Sequence, residues 1–255
     1  MTRWQHRDSP FSDSGHQVVL TSRDVDLWIF PLHPKPGDGD LLAPDEHRHA
    51  AAFHFDRDRE RYIAGRAMLR RLLGAGLDRD PASLRFRYGP SGKPTLDGPL
   101  SFNFSNSEDL GALAIASFDL GVDIERIRTI EEDVAGRFFA ADEVARLRAL
   151  PIERQTEAFF NCWTRKEAYI KALGDGLLLQ LDRFSVSLAP GDPPRLLRAG
   201  DDPAEPGRWC LHHFIPASGF VGAIAARQTG WRVRLHHFDP GYDPAVASFP
   251  TIPQR

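Results

Sequence analysis

The stretch that most constrains this chain is Phe159 to Leu173, FFNCWTRKEAYIKAL. At about 100° per residue, Phe160, Trp163, Glu167 and Ile170 share one side of a helix, so a carboxylate points where the aromatic residues point. A buried carboxylate needs a partner. Lys166 and Lys171 flank it, and upstream Gly121-Val122-Asp123-Ile124-Glu125 alternates acids with apolar residues. On a strand, Asp123 and Glu125 leave the same face while Val122 and Ile124 turn to a core. Adjacent like charges are tolerated when they are exposed or bridged by a cation. An isolated pair of that kind reads as a solvated strand face, but an acid on the apolar side of a separate helix points instead to a metal or a catalytic proton. Ligands that are all oxygen favour Mg²⁺ or Mn²⁺ over zinc, and Mg²⁺ usually completes its shell with water and substrate phosphates.

The lysines have a plainer reading. Glu167 and Lys171 form an i, i+4 pair worth only roughly 0.3–0.5 kcal/mol on an exposed helix. Beside a metal, however, Lys166 and Lys171 make better sense as phosphate clamps, together with Arg61 and with Lys93 at the tip of the loop Gly89-Pro90-Ser91-Gly92-Lys93-Pro94. Cations drawn from several parts of the chain fit a polyanionic ligand lying in a groove. The ten histidines offer no rival site: His47 and His49 do not share a helix face, and His212-His213 and His236-His237 point oppositely along strands. Ser105 shows no triad spacing and reads as a binding hydroxyl or turn residue.

A net charge of −3 argues against general affinity for nucleic acid or an anionic membrane. Two cysteines, Cys162 and Cys210, cannot build a disulfide framework or a four-ligand zinc site and fit a reducing cytoplasm. Met1 to Ser14 has no apolar signal core, and no apolar run is long enough to span a bilayer. A cytoplasmic protein free of membrane and nucleic acid is expected.

In chain order, residues 1–23 read as a mobile lead-in. Strands are predicted at Val25–Phe30, Leu84–Tyr88, Leu100–Ser105, Ala112–Phe118, Val122–Ile127, Phe184–Leu188, Trp209–Ile215, Phe220–Ala226 and Val233–His237. Asn106 to Asp109 should turn a hairpin. Helices are predicted from Pro44 toward Phe53, over Asp58–Leu73 ending at Gly74, over Ala141–Ala149 and over Glu153–Leu173. Arg66–Gly74 echoes Lys166–Gly174 in its basic, apolar and glycine positions, and each of these helices follows a shorter one. Two similar halves are therefore expected, 24–118 and 119–238, with a tail over 239–255.

Three blocks together resemble the 4′-phosphopantetheinyl transferases, in particular their larger, monomeric Sfp-type class. They are Gly121–Glu125, Trp163–Lys171, and Gly92-Lys93-Pro94 with Phe102–Ser107. The resemblance implies an α+β fold of two pseudo-symmetric halves, each a small, mostly antiparallel sheet packed with helices, with a metal site at their interface. It implies transfer of the 4′-phosphopantetheine arm of coenzyme A to a serine of an apo acyl or peptidyl carrier protein, releasing 3′,5′-ADP. By position, Asp123, Glu125 and Glu167 would hold Mg²⁺, with Mn²⁺ as the alternative. Glu167, or a water on the metal, would take the serine proton, and Lys171 would sit by the phosphate joined to the leaving group. Arg61, Lys93, Pro94, Ser105 and Asn106 would line the nucleotide groove, with Lys166 also on the coenzyme A side. The family motif has His where this chain has Asn106, and its lysines ahead of Arg61 are absent, leaving Arg48 or His49 in their place. A carrier-docking surface is expected on Arg137 to Arg148. The rival readings are another Mg²⁺-dependent enzyme of phosphate esters and a non-catalytic carrier-binding module.

Overall fold

The computed structural model describes residues 23–90, 92–130, 133–174 and 180–237. The predicted lead-in, apart from Arg23, and the predicted tail lie outside the described residues.

β1 (Asp24–Pro31) leads into α1 (Pro44–Ala51), which opens on a proline and two acids, both favoured in a first turn. α2 (Asp56–Leu77) does not end at Gly74. It runs on to Asp78, whose φ of 51° closes it in the left-handed region. Gly74 serves another purpose: a Cβ there would lie 2.8 Å from the Arg79 carbonyl, so the glycine lets the following chain fold back against the helix. Of the strand expected over Leu84–Tyr88 only β2 (Arg87–Tyr88) forms, pairing with β3 (Pro94–Thr95) around the lysine loop. β4 (Ser101–Ser107) and β5 (Leu110–Ala116) make the predicted hairpin, its turn reduced to Glu108 and Asp109 with Glu108 at positive φ. β6 (Leu120–Arg126), α3 (Val134–Phe138), α4 (Ala141–Arg148) and α5 (Ile152–Leu173) follow. Then come β7 (Phe184–Val186), β8 (Leu196–Ala199), β9 (Cys210–Phe214), β10 (Phe220–Ala226) and β11 (Arg232–His237).

This is an α+β fold with small sheets packed against helices. Of the two larger sheets one has the order β11-β1-β5-β4 and the other β6-β10-β9, while β2-β3 and β7-β8 form two-stranded ribbons. All pairings in them are antiparallel except β11 with β1. β11 therefore crosses the division drawn from sequence at 118/119, because it joins the sheet of the first half. Asp26, buried in β1, holds it there, accepting from Arg234 at 2.8 and 2.9 Å and pairing with His236 at 2.9 Å.

From Leu27 to Phe30 β1 is apolar on both faces because both are covered. Trp28 and Phe30 pack with Leu69, Leu72 and Leu73 of α2, whereas Leu27 and Ile29 meet Val122, Ile124 and Ile224 of the second sheet. On the far side of that sheet Ala223 and Ala225 pack with Phe160, Ala168 and Tyr169 of α5. The order of layers is helix, sheet, sheet, helix.

β4 and β6 lie at the edges where the two sheets meet, and side chains do the work of a backbone ladder between them. Asn103 Oδ1 accepts from the Val122 amide at 2.8 Å, Ser105 Oγ from Ile124 at 3.3 Å and Ser107 Oγ from Arg126 at 3.1 Å. The period-two alternation of Phe102 to Ser107 thus encodes a polar edge that satisfies backbone donors otherwise left unpaired.

Candidate active site

The acids sit where β6 crosses α5. Gly121 makes the crossing close: a Cβ there would lie 2.1 Å from the Ala168 carbonyl and 2.5 Å from the Ala172 nitrogen. Contact of backbone with backbone brings the odd-numbered residues of β6 against the last two turns of the helix. Asp123 is consequently buried, and its Oδ1 accepts from Lys171 Nζ at 2.6 Å and from Ser105 Oγ at 2.8 Å. Its Oδ2 is buried without a partner among the described residues. Glu125 accepts from Ser107 Oγ at 2.9 Å and from Arg128 at 3.3 Å.

Burial, and next the charge of Asp123, push the Glu125 carboxyl above its ordinary range, against the pull of Ser107 and Arg128. Glu167 is raised likewise, first by burial, then by Asp123, with Lys171 opposing and Glu125 adding. Three carboxylates thus feel one another's charge. Among the described residues no three His, Cys, Asp or Glu side chains converge tightly enough to hold a metal ion as they stand. Lys171 supplies the positive charge at Asp123 in this arrangement. The donor set still fits a hard divalent cation: it is all oxygen, it carries an unused buried carboxylate oxygen, and its members repel one another.

A cavity of about 710 Å³ opens on the first-half side, and the three acids are not among its walls. Arg61, His49, Tyr62, Pro94, Asn106 and Ser107 are among its walls. Ser107 connects it to the acids through its bond to Glu125. Arg61 is held at its edge by Asp109 at 2.7 Å, a bond that raises its already high pKa. Of Arg48 and His49, it is His49 that lines the cavity, in an aromatic cluster with Phe53 and Tyr62.

Two predicted ligand-side lysines are elsewhere. Lys166 is fully buried, bonded to Glu143 at 2.7 Å and to the carbonyls of Leu181 at 2.8 Å and Phe184 at 2.7 Å. The placement has a simple cause: one residue along a helix is a rotation of about 100°, so the neighbour of Glu167 points toward Glu143 of α4 and Phe184 of β7. Lys93, read as a loop-tip cation, instead turns inward and donates to the carbonyls of Lys171 at 2.7 Å and Leu120 at 3.1 Å. Sequence reasoning missed the roles of Asn103 and Ser107. The even spacing of Asn103, Ser105 and Ser107 was the available signal.

Residues 119–225 match the model of the 4′-phosphopantetheinyl transferase superfamily, and residues 38–118 match that of a 4′-phosphopantetheinyl transferase N-terminal domain. The chain is 36% identical to the 4′-phosphopantetheinyl transferase HetI of Nostoc sp. over 87% of its own length and 95% of that protein's. It is 34% identical to the 4′-phosphopantetheinyl transferase Sfp of Bacillus subtilis, over 58% of this chain and 67% of that one. A third relative, the 4′-phosphopantetheinyl transferase ffp of Bacillus subtilis, is 29% identical over 84% and 85% of the two chains. This chain belongs to the 4′-phosphopantetheinyl transferase family and is a transferase of that kind.

Proposed function

We propose that the protein moves the 4′-phosphopantetheine arm of coenzyme A onto a serine of an apo acyl or peptidyl carrier protein, with a divalent cation, Mg²⁺ or Mn²⁺, as cofactor. The observation that carries this is the Lys171–Asp123 pair at the crossing of β6 and α5, with Glu125 and Glu167 within range of the Asp123 charge and Ser107 linking Glu125 to a cavity lined by Arg61. Asp123, Glu125 and Glu167 would hold the cation, which supplies charge neutralisation on the pyrophosphate when bound. Lys171, now on Asp123, is within reach of a phosphate oxygen that enters the same space. It then offsets the charge left on the departing bisphosphate. Glu167 has a carboxyl raised above its usual range, which suits a base that accepts the serine proton and is not already satisfied.

His49, Arg61, Pro94 and Asn106 form the nucleotide side of this reading. Ser105 contributes indirectly: it donates to Asp123 while accepting from Lys171 at 3.2 Å, so it sets the angle between acid and ammonium. In the suggested docking region Arg146 and Arg148 are already paired with Asp142 and Asp133, each within 3 Å, which lowers their value as anchors for an acidic carrier. No described helix is long and apolar enough to cross a membrane. Free Cys162 and Cys210 fit a reducing, cytoplasmic setting, and we read the protein as a monomer.

The decisive assay mixes the protein with apo carrier protein, coenzyme A and Mg²⁺ and weighs the carrier by mass spectrometry. One added phosphopantetheine on serine is expected. Absence of that adduct with fatty-acid, polyketide and peptide carriers alike would remove the proposal.

A further inference from the structure

The free edge of β6 is capped by side chains along its length. Asn103, Ser105 and Ser107 take its amides, Lys171 Nζ donates to the Val122 carbonyl at 3.3 Å, and Lys93 Nζ donates to the Leu120 carbonyl at 3.1 Å. Lys93 also ties the strand to the helix backbone, since its second bond, at 2.7 Å, goes to the Lys171 carbonyl in the last turn of α5. Carbonyls in a last helical turn lack intrahelical donors, and the helix dipole places partial negative charge there. An ammonium is the natural cap. This one arrives from a hairpin that turns at Gly92, φ 78°, and is restricted by Pro94, with the Gly89 amide donating to the Lys93 carbonyl at 3.0 Å.

We propose that Lys93 is a positioning residue, a strut from the β2–β3 hairpin that sets the end of α5 against the start of β6 and thereby fixes Lys171 opposite Asp123. The tie lies at the crossing where Gly121 meets the helix backbone, and the two elements it joins carry all three acids and Lys171. With both carbonyls satisfied, the ammonium has little left to offer a ligand phosphate. Burial also lowers its pKa, as expected for a cation drawn away from solvent. The catalytic part of this inference rests on the transferase reading; the structural part does not.

The test uses the full chain with Lys93→Met, which keeps the aliphatic stem, and Lys93→Arg, which keeps a donor cation. In Lys93→Met, kcat should fall about tenfold or more while KM for coenzyme A stays within about twofold, because misplacement of reacting groups is felt in the transition state. Lys93→Arg should recover most of kcat. In the protein without substrates, amide exchange in Lys93→Met should accelerate at the start of β6 and the last turn of α5, leaving β1 and β5 unchanged. A KM raised about tenfold with kcat retained and exchange unaltered would make Lys93 a ligand contact and overturn the strut. Exchange accelerated equally throughout the fold would overturn it too, by showing general destabilisation. If the wild-type protein transfers nothing, the transferase reading fails, and the exchange pattern still decides whether the strut exists.

Discussion

The two long helices of this protein are built alike and used differently. α2 and α5 each have 22 residues, and each follows a short helix whose third residue is a buried glutamate. Glu46 reaches back to the Ala43 amide at 2.8 Å and Glu143 to the Ala140 amide at 2.9 Å. Each glutamate then clasps a base on the long helix, Arg66 and Arg70 in one case and Lys166 in the other. The residues one step further on are Ala67, wholly buried in its core, and Glu167, crowded against two other acids. Lys171 bonds Asp123, while its counterpart Arg71 bonds Asp38 at 2.5 Å. One scaffold therefore borders a cavity, and its echo borders a cluster of interacting acids. Ala67 against Glu167 is one of the equivalent positions at which the two differ, and the acids of β6 add to it.

The largest expected effect comes from Glu167→Gln, which should lower kcat by about a hundredfold or more. The protein should stay folded. Glu125 and Glu167 bind protons more readily in the fold than in the unfolded chain, so the stability available in acid is lost as pH rises through their raised values. Removing one charge relieves that repulsion, and the Tm of Glu167→Gln at neutral pH should equal or exceed that of the wild type. A lower Tm would mean that the acids are not in conflict.

Next in size is the contrast between Lys166→Met and Arg66→Met. Lys166→Met strands a buried Glu143 and should cost about 3–5 kcal/mol in denaturant unfolding, with KM for coenzyme A unchanged in the folded fraction. Arg66→Met leaves Arg70 on Glu46 and should cost less, about 1–2 kcal/mol, but Arg66 lines the cavity and its loss should raise KM. Equal effects of the two substitutions on KM would break the distinction between a sealed base and a cavity base.

Asn106→His restores the residue of the family motif on the cavity wall. Its protonated ring should tighten coenzyme A binding a few-fold relative to the wild type as pH falls below about 6.5. Titration calorimetry at pH 6 and pH 8, near and above that ordinary histidine value, would read it directly. Identical affinities in variant and wild type would show that Asn106 does not face the nucleotide.

The smallest effect belongs to a surface acid of the second half. Trp209 Nε1 donates to Glu205 at 2.8 Å and, with Arg208 and Arg227, holds its carboxyl down at about 2. Its stabilisation is present above the unfolded value of roughly 4.3 and is lost as pH falls toward the folded value. Its partners Arg208 and Arg227 are exposed, so screening keeps the contribution below about 1 kcal/mol, and Glu205→Gln should flatten the acid limb of stability against pH by that amount. A larger change would point to a more enclosed site.

Much of this molecule was legible in the chain, for identifiable reasons. Phe220–Ala226 and most other strands were announced by short apolar runs between glycine and proline breaks, and α5 by its apolar period. The side of α5 that carries Glu167 followed from counting residues. Gly74 was misread because a glycine near the end of an apolar period can cap a helix or admit a neighbouring backbone, and only the approach of Arg79 tells which. β8 gave little signal in a segment rich in proline and arginine, and β11 could be predicted as a strand but not assigned to β1.

The order of residues by itself determined the kind of groups available and their local direction: acids on alternate positions of β6, an acid and a lysine four apart on α5, polar residues on alternate positions of β4. Local geometry follows from fixed periods, and those periods are written in the chain. Which cations meet which acids was decided by packing. Gly121 lets β6 touch α5, Glu143 claims Lys166, and two backbone carbonyls claim Lys93. Such choices depend on partners between 23 and 78 residues away, and the competition among them is settled by burial and hydrogen-bond supply once the layers have closed.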